Sequence, residues 1–230
     1  MRLPIAIAGI VAFAAIAVLA SVAAADPIAR GLLPAPTARP WDWPSAEPTE
    51  PPLRAHPQLL SGFVVPVGGA VVPSEEQYLP NSARDYRAGY HEGIDFPVRA
   101  GTPVLAAKAG TIARIDSDFV DWTPAEEQAA VDAAVALGHT PTATLDRIRG
   151  RQVWIDHGGG IVTRYAHLSA VAALRVGDPV AQGQVIGAVG SSGYPEGGPH
   201  LHFEIRVGDD FYGDGLPLAQ LRHAISVAFR

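Results

Sequence analysis

The sequence has no cysteine. Disulfides and thiolate metal sites are therefore excluded, and any zinc must be held by His, Asp or Glu. Lysine is almost absent: Lys108 is the only one, and the formal net charge is −6 over 230 residues. A nucleic-acid binder needs a basic face to displace counterions from phosphates, so that partner class is excluded as well. What the chain has in quantity is glycine (24) and proline (21), which favour turns, loops and short strands over long helices. Apolar residues make up 48 %, enough for a packed core in one ordinary domain with extensions.

The N-terminus is expected to direct export. After Met1-Arg2, residues Leu3 to Ala25 are almost wholly apolar and small, with no polar face. Ala23 and Ala25 match the A-x-A pattern of a signal-peptidase site, which favours cleavage. The run is also just long enough to span a bilayer, which takes about 20 residues, so residues 1–25 are either a cleaved signal or an uncleaved anchor. In both cases the remainder is exported to a periplasmic, cell-wall or extracellular site, and any membrane contact is made through this segment. Residues 26–57 hold nine prolines and read as an extended, semi-rigid linker.

From residue 58 to the C-terminus the pattern predicts an all-β, antiparallel domain. Runs with period two mark strands at Gly62–Val65, Pro103–Ala106, Gly110–Asp116, Gln152–His157, Ile161–His167, Gln184–Val189 and His200–Val207. Gly158-Gly159-Gly160 signals a hairpin, Gly177-Asp178 a further turn, and Leu216–His223 a short helix. One segment, about 119–151, breaks the β pattern. Thr123-Pro124-Ala125-Glu126 combines an N-cap, proline at the first helical position and a capping-box glutamate, and Gly138 is a stop, so Pro124–Leu137 is an inserted helix. Its stripe of Val131, Ala134 and Val135 would pack on the sheet.

Three short segments carry the chemistry. In Gly198-Pro199-His200-Leu201-His202-Phe203-Glu204, strand alternation puts His200, His202 and Glu204 on one face and Leu201 and Phe203 in a core. One imidazole of such a pair can bind an ion while the other acts beside it, although H-x-H alone is a common accident. In His91-Glu92-Gly93-Ile94-Asp95, an extended segment again places His91 and Asp95 on one face. His91, Asp95 and His202 then make three protein ligands, leaving a fourth tetrahedral position for water, the layout of a catalytic zinc site. In Tyr165-Ala166-His167-Leu168, Tyr165 and His167 fall on one face of their strand. Glu204 could orient a ligand from behind, but a solvated strand carboxylate is the simpler expectation. His157 is expected to be hydrogen-bonded at a hairpin end, and His56, His139 and His223 to lie on the surface.

The motifs His91-x-Gly93-Ile94-Asp95, Tyr165-x-His167-Leu168 and Gly198-Pro199-His200-Leu201-His202-Phe203-Glu204 occur in the order of the M23 (lysostaphin/LytM-like) metallopeptidases. The resemblance runs from about Gly89 to Val207. It implies a LytM-type β-fold, one Zn2+ per chain on His91, Asp95 and His202, and His167 and His200 beside the metal-bound water as base and oxyanion stabiliser. It further implies a monomeric endopeptidase cutting peptide bonds in peptidoglycan stem peptides or cross-bridges. The chain departs from the family pattern at about 119–151, which is longer than usual, and ahead of His91, where Arg84 or Arg87 stands in for an expected Gly-Arg run. The insertion supplies none of the five site residues, so the metal site is expected to survive its removal.

Two other readings compete. A catalytically silent LytM-like activator of another hydrolase would have lost zinc ligands, and all five site residues are present. A biotinyl or lipoyl carrier resembles Gly177-Asp178-x-Val180 with Gly183-Gln184-x-Ile186, but needs a lysine at a hairpin tip, and Lys108 precedes that motif.

Overall fold

Short runs of alternating burial build two antiparallel sheets in the structure, a computed structural model that describes residues 59–84 and 87–230. The apolar run 1–25, the linker 26–57 and His56 lie outside the described residues. Among those described, no helix is long and apolar enough to cross a membrane. In chain order the elements are β1 (Ile94–Phe96), β2 (Pro103–Leu105), β3 (Gly110–Asp116), α1 (Pro124–Leu137), α2 (Thr142–Arg149), β4 (Gln152–Asp156), β5 (Ile161–Ala166), β6 (Leu168–Val171), β7 (Pro179–Val180), β8 (Val185–Val189), β9 (Leu201–Val207), β10 (Asp210–Phe211) and α3 (Leu218–Ala228). The larger sheet runs β1-β9-β5-β4-β3-β7, with β10 also paired to β9, and the smaller runs β2-β8-β6.

Alternation along the central strands separates two faces. Val153, Ile155, Tyr165, Leu201 and Phe203 enter a core shared with Val104, Leu168 and Ile186 of the smaller sheet and with Leu221 and Ile225 of α3. Phe203 is its hub, with ring centroids 5.3 Å from Tyr165, 6.4 Å from Phe96 and 6.1 Å from Phe229. Truncating such a buried aromatic costs about 3–5 kcal/mol through lost transfer energy and the cavity left behind. The Tyr165 hydroxyl, also buried, accepts from the Ala107 amide at 2.8 Å, and burial pushes its pKa up. The opposite face carries Trp154, Arg164, His202 and Glu204, and this is where the chemistry lies.

Four expectations change. Gly62–Val65 forms no strand: the Gly62 and Phe63 amides donate to the carbonyls of Arg230 and Ala228 at 2.9 Å each. They satisfy carbonyls that the end of α3 leaves without helical partners. The C-terminal helix extends to Ala228 because Leu221, Ala224, Ile225 and Ala228 are buried at helical spacing. The insertion contains two helices. α1 has the expected bounds and both halves of its capping box, but Ala134 is its only buried residue. The second helix, α2, begins Thr-Ala-Thr with no side-chain cap, so nothing local announces it; burial of Ile148 and Arg149 holds it. Finally, Tyr165 and His167 do not share a face. His167 has φ 60°, and this left-handed residue ends the alternation of β5. Tyr165 stays in the core, and the His167 ring turns towards His202, 5.8 Å between centroids.

Candidate metal centre

Asp95 and His202 face each other directly across the β1–β9 pair. The close approach of those strands explains Gly93: a Cβ there would lie 2.5 Å from the Phe203 carbonyl oxygen. His91, just before β1, is tied by its amide to the Ser82 carbonyl at 2.8 Å. The result is a triangle of donor atoms. His91 Nε2 and His202 Nδ1 each lie 2.9 Å from Asp95 Oδ1, and 3.0 Å from one another. Among the described residues this is the one group of His and carboxylate side chains arranged to hold a metal ion.

The outer hydrogen bonds determine what the triangle offers. His91 Nδ1 donates to the Leu79 carbonyl at 2.9 Å, which leaves a lone pair on Nε2. His202 Nε2 donates to Glu204 Oε1 at 3.1 Å, which leaves a lone pair on Nδ1. Asp95 Oδ2 accepts from Arg84 Nη2 at 3.0 Å, leaving Oδ1 turned inward. Three acceptor atoms at such separations repel one another unless a proton or a cation lies among them. Burial and mutual contact shift the titration of all three donors. Burial pushes His91 down to about 4, so it stays neutral. Burial also opposes charge on His202 and on Asp95. Contacts with Asp95 and Glu204 nevertheless raise His202, and its imidazole neighbours hold Asp95 well below the usual carboxylate range. Two neutral imidazoles and a carboxylate are the donor set zinc accepts without thiolates, so the residues fit the ion.

Two further histidines flank the triangle. The His167 and His200 ring centroids are 4.6 Å apart. His167 Nδ1 donates to the Ser192 carbonyl and His200 Nδ1 to the Gly198 carbonyl, both at 2.9 Å, so each ring has its Nε2 lone pair available. His200 Nε2 lies 3.9 Å from Asp95 Oδ1. Burial, then the neighbouring imidazoles, push His167 well below its ordinary value. The five residues picked out by their motifs are thus together in one open pocket of about 570 Å³, walled also by Arg84, Leu145, Ile148 and Tyr194.

Glu204 departs from expectation: it is fully buried, not solvated. Arg149, the last residue of α2, donates through Nε to the same Oε1 that holds His202, at 2.6 Å. Sequence reasoning placed Glu204 on the correct face but had no signal for Arg149, because nothing in the sequence told where the insertion returns. The remaining described histidines behave as expected. His157 hydrogen-bonds Ala109 and Thr163 at the end of β4, each at 2.8 Å, and His139 and His223 are exposed.

A family model described as Peptidase family M23 matches residues 89–213. A peptidoglycan DD-endopeptidase of Vibrio cholerae, ShyA, is 32 % identical over 121 residues, 53 % of this chain and 21 % of its own. A DD-carboxypeptidase/endopeptidase of Neisseria meningitidis, Mpg, is 32 % identical over 142 residues, 60 % of this chain and 26 % of its own. The chain thus spans between a fifth and about a quarter of the length of these relatives. Among solved structures, the catalytic domain of lysostaphin from Staphylococcus simulans is similar at 28 % identity and TM-score 0.39, covering 59 % of this chain and 80 % of that one.

Proposed function

The chain belongs to peptidase family M23, and from that premise we propose that it is a zinc-dependent endopeptidase acting on peptidoglycan. The observation that carries the proposal is the convergence of His91 Nε2, Asp95 Oδ1 and His202 Nδ1 within 3.0 Å of one another, each aimed by a separate outer hydrogen bond. These three residues would hold the ion. A zinc ion supplies Lewis acidity and lowers the pKa of its water from about 15.7 to about 7.

The protein's own groups do the rest. His167 and His200 each have Nδ1 committed to a backbone carbonyl, so each can accept a proton only at Nε2, on the side of the metal centre. One would take the proton of the attacking water, while the other would stand beside the oxygen on which negative charge develops. That proton then passes to the departing amine nitrogen. An imidazole whose unperturbed pKa is about 6.5 is suited to this exchange near neutral pH. Burial disfavours the charged form of His167. Glu204 and Arg84 hold the donors in position and take no part in the transfer.

Peptidoglycan is proposed because relatives from Vibrio cholerae are named peptidoglycan DD-endopeptidases. The reading includes export through residues 1–25, with or without cleavage, and action as a monomer outside the cytoplasm. The silent-activator alternative loses ground because none of the five residues is missing. Digestion of purified peptidoglycans of different cross-link chemistry, with mass analysis of the fragments, tests the proposal. New amine termini that appear only with zinc present are expected; intact peptidoglycan at full zinc loading would overturn it.

A further inference from the structure

We infer that Arg149 is a positioning residue for the metal centre: acting through Glu204 it fixes the His202 imidazole, so the insertion completes the site it borders. The inference rests on the zinc-site reading above. Glu204 is wholly enclosed and stands two residues from His202 on the same face of β9. Its Oε1 accepts both the Nε2–H of His202 at 3.1 Å and the Nε–H of Arg149 at 2.6 Å. Arg164 and Arg206 also approach, but their Nη1 atoms are 3.4 Å from Oε2. Arg149 therefore provides the close contact, and to the very oxygen that aims His202.

The guanidinium is itself held rigidly. Nη2 pairs with Glu92, and Nη1 lies 3.3 Å from Asp146. A planar fork engaging three carboxylates cannot swing without breaking several contacts at once, which a lysine ammonium could not reproduce. The backbone of the same residue serves the other side of the site: the Arg149 carbonyl accepts the His167 amide at 2.8 Å. Gly150 follows at φ 65°, its α-carbon against the Ser192 backbone, where a Cβ would collide. Ser192 in turn supplies the carbonyl that holds His167 Nδ1. Trp122 and Asp121, at the start of the insertion, bond to the Gly193 carbonyl and amide, at 3.1 and 2.6 Å. Both ends of the insertion are thus fastened to the loop behind His167, and Arg149 to the carboxylate behind His202.

A partner of this kind sets ligand orientation and basicity, and its loss typically weakens metal binding about 10–100-fold. The test is zinc affinity of the full chain, measured by competition with a chromophoric chelator. Arg149→Met and Glu204→Gln are each expected to weaken zinc binding about 10–100-fold, and Arg149→Lys to recover only part of the loss. Because Arg149 acts through Glu204, the double variant R149M/E204Q is expected to bind zinc no more weakly than E204Q alone. If R149M does not fold, R149K, E204Q and their double variant carry the same comparison. Wild-type affinity in the Arg149 variants, or losses that add in the double variant, would overturn the inference. Failure of the wild-type chain to bind zinc would instead overturn the zinc reading itself, so the two failures are distinguishable.

Discussion

The donors on β1 and β9 and the arginine at the end of α2 meet within one site, yet they come there by different physics. Asp95 and His202 occupy opposed positions in a strand pair, so once pairing and alternation are given, their side chains must meet. Arg149 arrives from a helix in an insertion between β3 and β4, carried by the burial of Ile148 and by anchors at Asp121 and Trp122. Local periodicity governs the first placement and tertiary packing the second. Two of the three metal-site donors stand on paired strands, while Arg149, which bonds the carboxylate behind one of them, comes from an inserted helix.

Removing the inner donors is the most drastic way to test that division. His91→Ala, Asp95→Ala and His202→Ala are each expected to lose stoichiometric zinc and all measurable peptide cleavage, because two remaining ligands compete poorly with water. Elemental analysis after dialysis checks this, and full zinc in all three variants would show that the triangle is not the binding site. Next in size are the flanking imidazoles. His167→Ala and His200→Ala are expected to retain zinc and lose about 10²–10⁴-fold in cleavage rate, the usual cost of a positioned acid–base group. Wild-type rates in both would remove them from the mechanism.

Replacing 123–149 by a short Gly-Ser turn sharpens the comparison further. The sequence alone suggests that the deletion leaves a folded, zinc-loaded domain with altered substrate choice, since loop shortening carries little closure penalty. The structure predicts otherwise. The deletion strips Arg149 from a fully buried Glu204, and breaking a buried ion pair by removing one partner costs about 3–5 kcal/mol. A lowered midpoint in chemical denaturation is expected, together with weakened zinc binding. Unchanged stability and affinity would return the insertion to decoration.

What could be read in advance follows the same line. The seven-residue β3, the central strands and α1 announce themselves by period and caps, and His91, Asp95, His200 and His202 by motif and face. His167 was found by motif but misplaced by alternation, because one left-handed residue reverses the face and nothing in Tyr-Ala-His-Leu signals it. Strands β7 and β10, two residues each, are too short to carry a period. The burial of Glu204 was not legible because it depends on three arginines, one of them from the insertion. In each case the missing information lay in which distant segment covers the residue.

The smallest effect separates the two halves of the insertion. The capping box of α1 is complete: Thr123 Oγ1 accepts from the Glu126 amide at 3.4 Å, and Glu126 Oε2 accepts from the Thr123 amide at 2.7 Å. Removing such a cap costs about 0.5–2 kcal/mol, because an amide at the helix start loses its acceptor. In a chain of this size that corresponds to a melting-temperature drop of roughly 2–4 °C per kcal/mol. α1 presents only Ala134 to the interior and contributes no group to the metal pocket, whereas Leu145, Ile148 and Arg149 of α2 line it. Thr123→Ala is therefore expected to lower the melting temperature by a few degrees while zinc affinity and cleavage rate stay at wild-type values. The same substitution with a fall in zinc affinity would mean that α1 holds α2 in place, and that the insertion acts on the site as one unit instead of through Arg149.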